Sequence, residues 1–152
     1  MIKYIPIDIN KIRNLISDIQ NSANELRELA KLGLEEFKSD RKNYALAEHN
    51  MRRALEGILT IGTHILSRLP AKTKDYQEII ISLGNYGIIP RDFAEKNKKL
   101  AGYRNRLVHM YWEGSMEELH QIINQHLADI EQFCEYFQEV LQDPQKFKLE
   151  TE

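Results

Sequence analysis

Three features of the sequence predict an all-α fold. Apolar residues recur at intervals of three and four, as in Ile12, Leu15, Ile16, Ile19, Ala23, Leu26 and Ala30. That is the pattern of a helix burying one face. No stretch sustains the apolar–polar alternation of a half-buried strand. Residues that start and stop helices also fall at the ends of the stripes: Asp8, Ser39, Asp40, Asp75 and Ser115 before them, Gly33, Pro70, Gly114 and Pro144 after them. An antiparallel helical bundle buries such stripes economically.

Taken in order, Asp8 caps a helix starting near Ile9. Gly33 is its break, although Leu34 and Phe37 carry the stripe a little further. Ser39 and Asp40 are candidate caps for a second long helix, whose inward face is Tyr44, Ala45, Met51, Leu55, Ile58, Leu59, Ile65, Leu66 and Leu69. Gly57 and Gly62 inside it each cost about 1 kcal/mol relative to alanine, which close approach of a neighbouring helix would explain. His64 lies in this apolar context and reads as a hydrogen-bonded core histidine sooner than a ligand. Pro70 closes the helix. Asp75 opens a short third helix over about 76–83, and Gly84-Asn85-Tyr86-Gly87 is a turn signal. A fourth helix follows with Pro90 near its first turn, carrying Phe93, Ala94, Leu100, Ala101, Leu107 and Val108. Ser115 and Glu118 form a capping box for a fifth, running to about Leu141. Cys134 falls on its apolar stripe and reads as a core residue, not a nucleophile. His120 and His126 are six apart, on opposite faces, and do not form a metal pair.

The 152 residues suit one domain with a real core. We expect that core over about 8–142 and a frayed, charged tail over 143–152. The N-terminus lacks the apolar run of a signal peptide. The longest weakly polar run, Gly57 to Leu66, is too short to cross a bilayer. The single cysteine excludes an internal disulfide and a multi-cysteine metal site. A cytoplasmic protein with no membrane contact is the expectation.

A net charge of −2 is the wrong sign for a general nucleic-acid coat, but its distribution is uneven. Residues 1–90 carry 13 basic and 11 acidic side chains, residues 91–112 carry 6 and 2, and residues 113–152 carry 2 and 10. Positive charge therefore peaks just where Gly102 to Trp112 gather two arginines, an asparagine, a histidine, two tyrosines and the only tryptophan. The acidic last helix is a natural surface for a basic patch on a partner.

On a helix turning about 100° per residue, Asn105 and His109 share a face, and Arg106 shares it nearly as well. Arg104 lies about 140° from His109. One straight helix cannot aim both at one atom. Either the helix distorts near Gly102, or a second copy of the segment completes the site across a two-fold axis. These residue types suit RNA cleavage without a metal. A neutral histidine can take the proton of a ribose 2′-hydroxyl or protonate the leaving oxygen. A guanidinium stabilises the charge that the phosphate gains in the transition state. Arg104 and His109 are thus the candidate catalytic pair, with Asn105 holding the phosphate or the imidazole. Arg106 and Lys99 are candidates for binding the RNA backbone. From spacing alone, a surface arginine with a histidine near a helix end is the better fit, and Tyr111 fits better as a packed aromatic with a bonded hydroxyl. Tyr103 and Trp112 read as packing residues, although either can stack a base.

Arg104-Asn105-x-x-x-His109-x-Tyr111 resembles the Arg-x4-His-x-Tyr signature of HEPN-domain ribonucleases, in the branch of HepT-like toxins. The surroundings are similar too: Leu34-Glu35-Glu36-Phe37 with Asp40, Thr63-His64-Ile65-Leu66, Pro90, Leu100 to Asn105, Val108 to Trp112, and the capped final helix. The likeness covers most of residues 8–142. It implies a homodimeric HEPN-like bundle of four to five helices. It also implies a metal-independent, cofactor-free RNA endonuclease whose paired motifs form one cleft, acting as the toxin of a toxin–antitoxin pair. The antitoxin partner it implies is a minimal nucleotidyltransferase that silences the toxin by transferring AMP to Tyr111. Added phosphate charge and bulk beside Arg104 and His109 would repel and block RNA. The alternative is a non-catalytic helical subunit that binds nucleotide or RNA, or scaffolds such a nucleotidyltransferase.

Overall fold

The computed structural model describes residues 5–72, 75–108 and 115–151. Seven helices follow in order: α1 (Ile9–Ala30), α2 (Leu34–Lys38), α3 (Arg41–Leu66), α4 (Tyr76–Asn85), α5 (Arg91–Asn97), α6 (Leu100–Val108) and α7 (Ser115–Gln142). A 3₁₀ turn over Pro144–Phe147 comes last. The predicted caps act as caps. Asp8 accepts from the Lys11 N–H, Asp40 from Lys42 and Asp75 from Glu78, at 2.9–3.0 Å. The capping box expected at Ser115 lies at the edge of the described residues.

The three long helices form an antiparallel core. Asp8 at the start of α1 meets His64 near the end of α3, and Ile19 lies against Gly57. Arg27 pairs with Glu131, and Leu32 just beyond α1 meets His120, so α7 runs back along α1. One cluster of buried apolar side chains extends from Ile7 to Leu149, with Phe37, Phe133 and Phe137 among its largest members. Ala45 is exposed and Ala47 takes the inward position expected of it.

The glycines of α3 mark close helix crossings. A Cβ on Gly57 would lie 2.6 Å from Ile19 Cγ1, and one on Gly62 would lie 2.8 Å from Ile79 Cγ2 on α4. The expected turn at 84–87 divides its work. Gly84 still belongs to α4 and packs on Ala94, whereas Gly87 adopts φ +74°. Its N–H bonds to the Gly84 carbonyl, and the Ile88 N–H to that of Leu83, a Schellman closure that needs a left-handed residue at this point.

Two expectations are corrected. The fourth helix is two helices, with the break at Lys98 and Lys99. The tail does not fray: Leu149 is buried, the Ile7 N–H bonds to the Glu150 carbonyl at 2.8 Å, and Ile7 and Thr151 form a parallel bridge. Leu149, together with Phe147 packed part-buried on the same core, seats a segment that is otherwise polar and charged. That bridge is the only extended pairing among the described residues, and none of their helices is long and apolar enough to cross a membrane.

Candidate active site

The short helix α6 carries the first part of the site. Leu100, Ala101 and Leu107 are buried and hold it to the bundle. Asn105 and Arg106 are exposed, and Tyr103 and Arg104 lie half-buried between the two faces. His109 and Tyr111 lie outside the described residues, as does Trp112.

Arg104 is directed toward α3 and α4. Its Nε is 3.6 Å from Glu56 Oε1, and its guanidinium carbon lies 5.5 Å from the centre of the Tyr76 ring. It also reaches sideways, with Nη1 donating to Asn105 Oδ1 at 3.0 Å. Helix angles describe where side chains leave the backbone, and a long arginine spans part of that separation. Arg104 and Asn105 therefore present a joined cation and amide. Arg106 turns the other way, to Glu118 at 2.7 Å. Arg106 is exposed and Glu118 half-buried, and such a pair is worth about 1 kcal/mol, so a phosphate can compete for Arg106. Lys99 is exposed at the α5–α6 break.

Behind α6 lies a polar cluster that its charge pattern did not reveal. Tyr103 packs its ring 5.5 Å from that of His126 on α7, the packing role expected for it. His126 is buried and neither ring nitrogen makes a hydrogen bond among the described residues. Asp129 is 3.7 Å from it and 3.3 Å from Lys96. Burial first, and then Lys99, hold the His126 pKa below its ordinary value, against the pull of Asp129. His126 therefore stays neutral and supports α6 by packing. The i, i+3 pairing of His126 and Asp129 is a signal that the sequence did contain. His120 faces elsewhere, 2.9 Å from the Leu32 carbonyl and against Phe37.

His64 and Cys134 are structural. His64 is buried and its Nε2 accepts from the Asp8 N–H at 3.0 Å. Its pKa is lowered by burial, then by Arg68 and Lys11. Cys134 is buried, and burial together with Glu131 and Glu135 pushes its thiol up to about 12, so it remains protonated and poorly nucleophilic.

A family model described as ribonuclease HepT-like matches residues 19–137, most of the chain. The chain belongs to the HepT-like ribonuclease family. A tRNA nuclease HepT from Aphanizomenon flos-aquae is 30% identical over 87 residues, covering 57% of this chain and 59% of that protein. An mRNA nuclease HepT from Shewanella oneidensis is 28% identical over 90 residues, covering 57% and 65%. The chain thus matches about three-fifths of the length of these curated relatives. Among solved structures, the tri-AMPylated Shewanella oneidensis HEPN toxin in complex with its MNT antitoxin is 24% identical, with a TM-score of 0.74 over 85% of this chain and 97% of that one. A cytosolic Bacillus subtilis protein of unknown function reaches a TM-score of 0.78 at 19% identity, over 93% and 95%. At these identities the structures establish that this HepT-like chain has the HEPN bundle.

Proposed function

We propose that this chain is an RNA endonuclease, the toxin of a cytoplasmic toxin–antitoxin pair. The observation that carries the reading is Arg104, joined to Asn105 on the open side of α6, in a chain of the HepT-like ribonuclease family with His109 and Tyr111 completing the motif. His109 acts as general acid/base. Removal of the 2′-hydroxyl proton lets that oxygen attack the adjacent phosphorus, and the 5′-oxygen leaves with a proton. The products are a 2′,3′-cyclic phosphate and a 5′-hydroxyl. No water or metal takes part in bond cleavage. Arg104 stabilises the phosphate charge that grows along the way, Asn105 aids it, and Arg106 and Lys99 hold neighbouring backbone.

The divergence of Arg104 and His109 around the helix favours a homodimer whose two α6 segments face one cleft. Regulation follows from Tyr111. Its hydroxyl attacks the α-phosphate of ATP on a minimal nucleotidyltransferase antitoxin, pyrophosphate leaves, and the attached AMP places negative charge beside the guanidinium. The names of two relatives, a tRNA nuclease and an mRNA nuclease, support the substrate class, and the AMPylated toxin in complex with its antitoxin supports the regulation.

The test is cleavage of labelled RNA with chelator present. The parent chain should leave 2′,3′-cyclic ends, and Arg104→Ala and His109→Ala should each lower the rate at least about a hundredfold. RNA binding without cleavage by the parent would favour the non-catalytic subunit instead. Intact mass after co-expression with the antitoxin should rise in whole AMP increments, and Tyr111→Phe should abolish the rise.

A further inference from the structure

Arg104 opens onto a groove that the motif does not include. It is about 510 Å³ and is walled by the start of α1, the second half of α3, Tyr76 of α4, and Arg104 of α6. We propose that this groove is a second phosphate subsite, which holds the RNA strand one nucleotide or so away from the phosphate that is cut. The proposal rests on the nuclease reading for the position of the cut and on the groove alone for the binding.

Three cations reach the groove from three parts of the chain: Lys11, Arg68 and Arg104. The only carboxylate lining it among the described residues, Glu56, is already paired with Arg104. Its surplus charge is positive although the whole chain is net negative. Arg68 is held in place before any ligand arrives. Its Nε donates to the Pro6 carbonyl at 3.3 Å, and its Nη1 to the His64 carbonyl at 3.3 Å and to Ser67 Oγ at 2.5 Å. Nη2 has no hydrogen bond among the described residues. Lys11 is exposed and forms no ion pair among them. His64, buried beside them, has its pKa lowered by burial first and then by Arg68 and Lys11, against the pull of Asp8.

Between these cations, α3 presents the hydroxyls of Thr60 and Thr63, three apart on one face and both exposed. Ser67, just past α3 and also exposed, already donates to the His64 carbonyl at 2.7 Å and accepts from Arg68. Guanidinium, ammonium and hydroxyl groups are the usual partners of phosphate and sugar oxygens. Tyr76, at 39% exposure, is one of few exposed large rings among the described residues, and an exposed ring at the rim of a basic groove offers a base a sequence-tolerant stacking surface. The groove lies within the volume range of small-ligand sites. A groove of cations, hydroxyls and one aromatic ring, continuous with Arg104, has the composition of a strand-binding track.

The test uses a labelled 2′-O-methyl RNA decamer, which lacks the hydroxyl needed for cleavage, with binding read by anisotropy across a salt series. Lys11→Glu reverses a charge without threatening the fold, because Glu at the third position of a helix capped by Asp8 favours that helix start. Thr63→Glu places a carboxylate among the hydroxyls from an exposed site. Unchanged melting temperatures would verify both folds. Each variant should weaken binding about tenfold, and Lys11→Glu should flatten the log–log salt slope by about 0.7, one phosphate contact. Cleavage of a dinucleotide that spans only the cut should not change, while the KM of the decamer made of RNA rises. Equal affinity and slope in parent and variants would overturn the subsite while leaving the nuclease reading intact if the RNA is cut. Groove-dependent binding with no cleavage by the parent would keep the subsite and remove the nuclease. Full competition by an equal concentration of AMP would overturn the assignment to a strand. So would variants that bind RNA normally and lose only the antitoxin.

Discussion

The buried histidines show how single residues carry both support and vulnerability. His64 and His126 fold with their pKa below the ordinary 6.5, burial being the largest cause in each. The unfolded chain therefore takes up protons, as the pH falls through 6.5, that the folded chain resists. Stability is complete above that value and declines below it. For His126 the surrounding charges are Lys99, Lys96 and Asp129, with the Tyr103 ring on its other neighbour helix. The two lysines oppose protonation and Asp129 favours it. His126→Leu removes the titrating ring and leaves the Lys96–Asp129 pair in place. Melting temperature measured from pH 7.5 to 5.5 should fall in the parent and fall less in the variant. An equal slope in both would mean that His126 is not a source of acid sensitivity.

At the scale of the element, the crossing of α3 and α4 depends on Gly62. Alanine there gains up to about 1 kcal/mol of helix propensity. It also sets a methyl 2.8 Å from Ile79 Cγ2 and 3.2 Å from Leu83 Cδ1, and overpacking of this kind costs about 1–3 kcal/mol. The overpacking should prevail, because Cγ2 sits one bond from the Ile79 Cβ and can retreat only if the rotamer or α4 moves. Gly62→Ala should lower the melting temperature by about 2–4 °C for a net loss near 1 kcal/mol. An increase would mean that α4 yields easily. Such crossings were legible in the sequence as glycines inside apolar stripes, as were the helix caps and the three long helices. The division of α5 from α6 was not, because Lys98 and Lys99 are ordinary helix formers. What separates the two is a local tightening of the backbone. Asn97 is fully buried and its Nδ2 donates to the Phe93 carbonyl at 3.0 Å, and the chain resumes through Ala101 and Gly102 bonds to Lys98 and Lys99, one residue tighter than an α-turn. The candidate site was legible in its motif and in its charge. The groove beside it was not, because Lys11, Thr63, Arg68 and Arg104 are far apart in sequence and are joined only by the bundle.

At the scale of the whole molecule, Ile7 and the 149–151 segment close on each other, while the proposed active site calls for a second copy of the chain. Leu149 and the Ile7–Thr151 bridge tie the tail beside the start of α1. Leu149→Ala removes a buried side chain near the surface, where the cavity can partly collapse, and should cost about 2 kcal/mol in chemical denaturation. A loss near zero would mean that the tail contributes no packing. The cleft is different, because on a straight helix Arg104 and His109 leave the backbone about 140° apart, and a facing copy of the segment would supply each with its partner. If one copy supplies the guanidinium and its partner the imidazole, two inactive variants should repair each other. Arg104→Ala retains His109, and His109→Ala retains Arg104. After unfolding and joint refolding, half of the dimers are mixed, and each mixed dimer keeps one of its two Arg–His combinations, so about a quarter of the parent activity should return. Each variant refolded alone supplies the background. Recovery demands that the two groups act across the two-fold axis, whereas a mixture no more active than its components would mean that one Arg–His combination across the axis does not suffice.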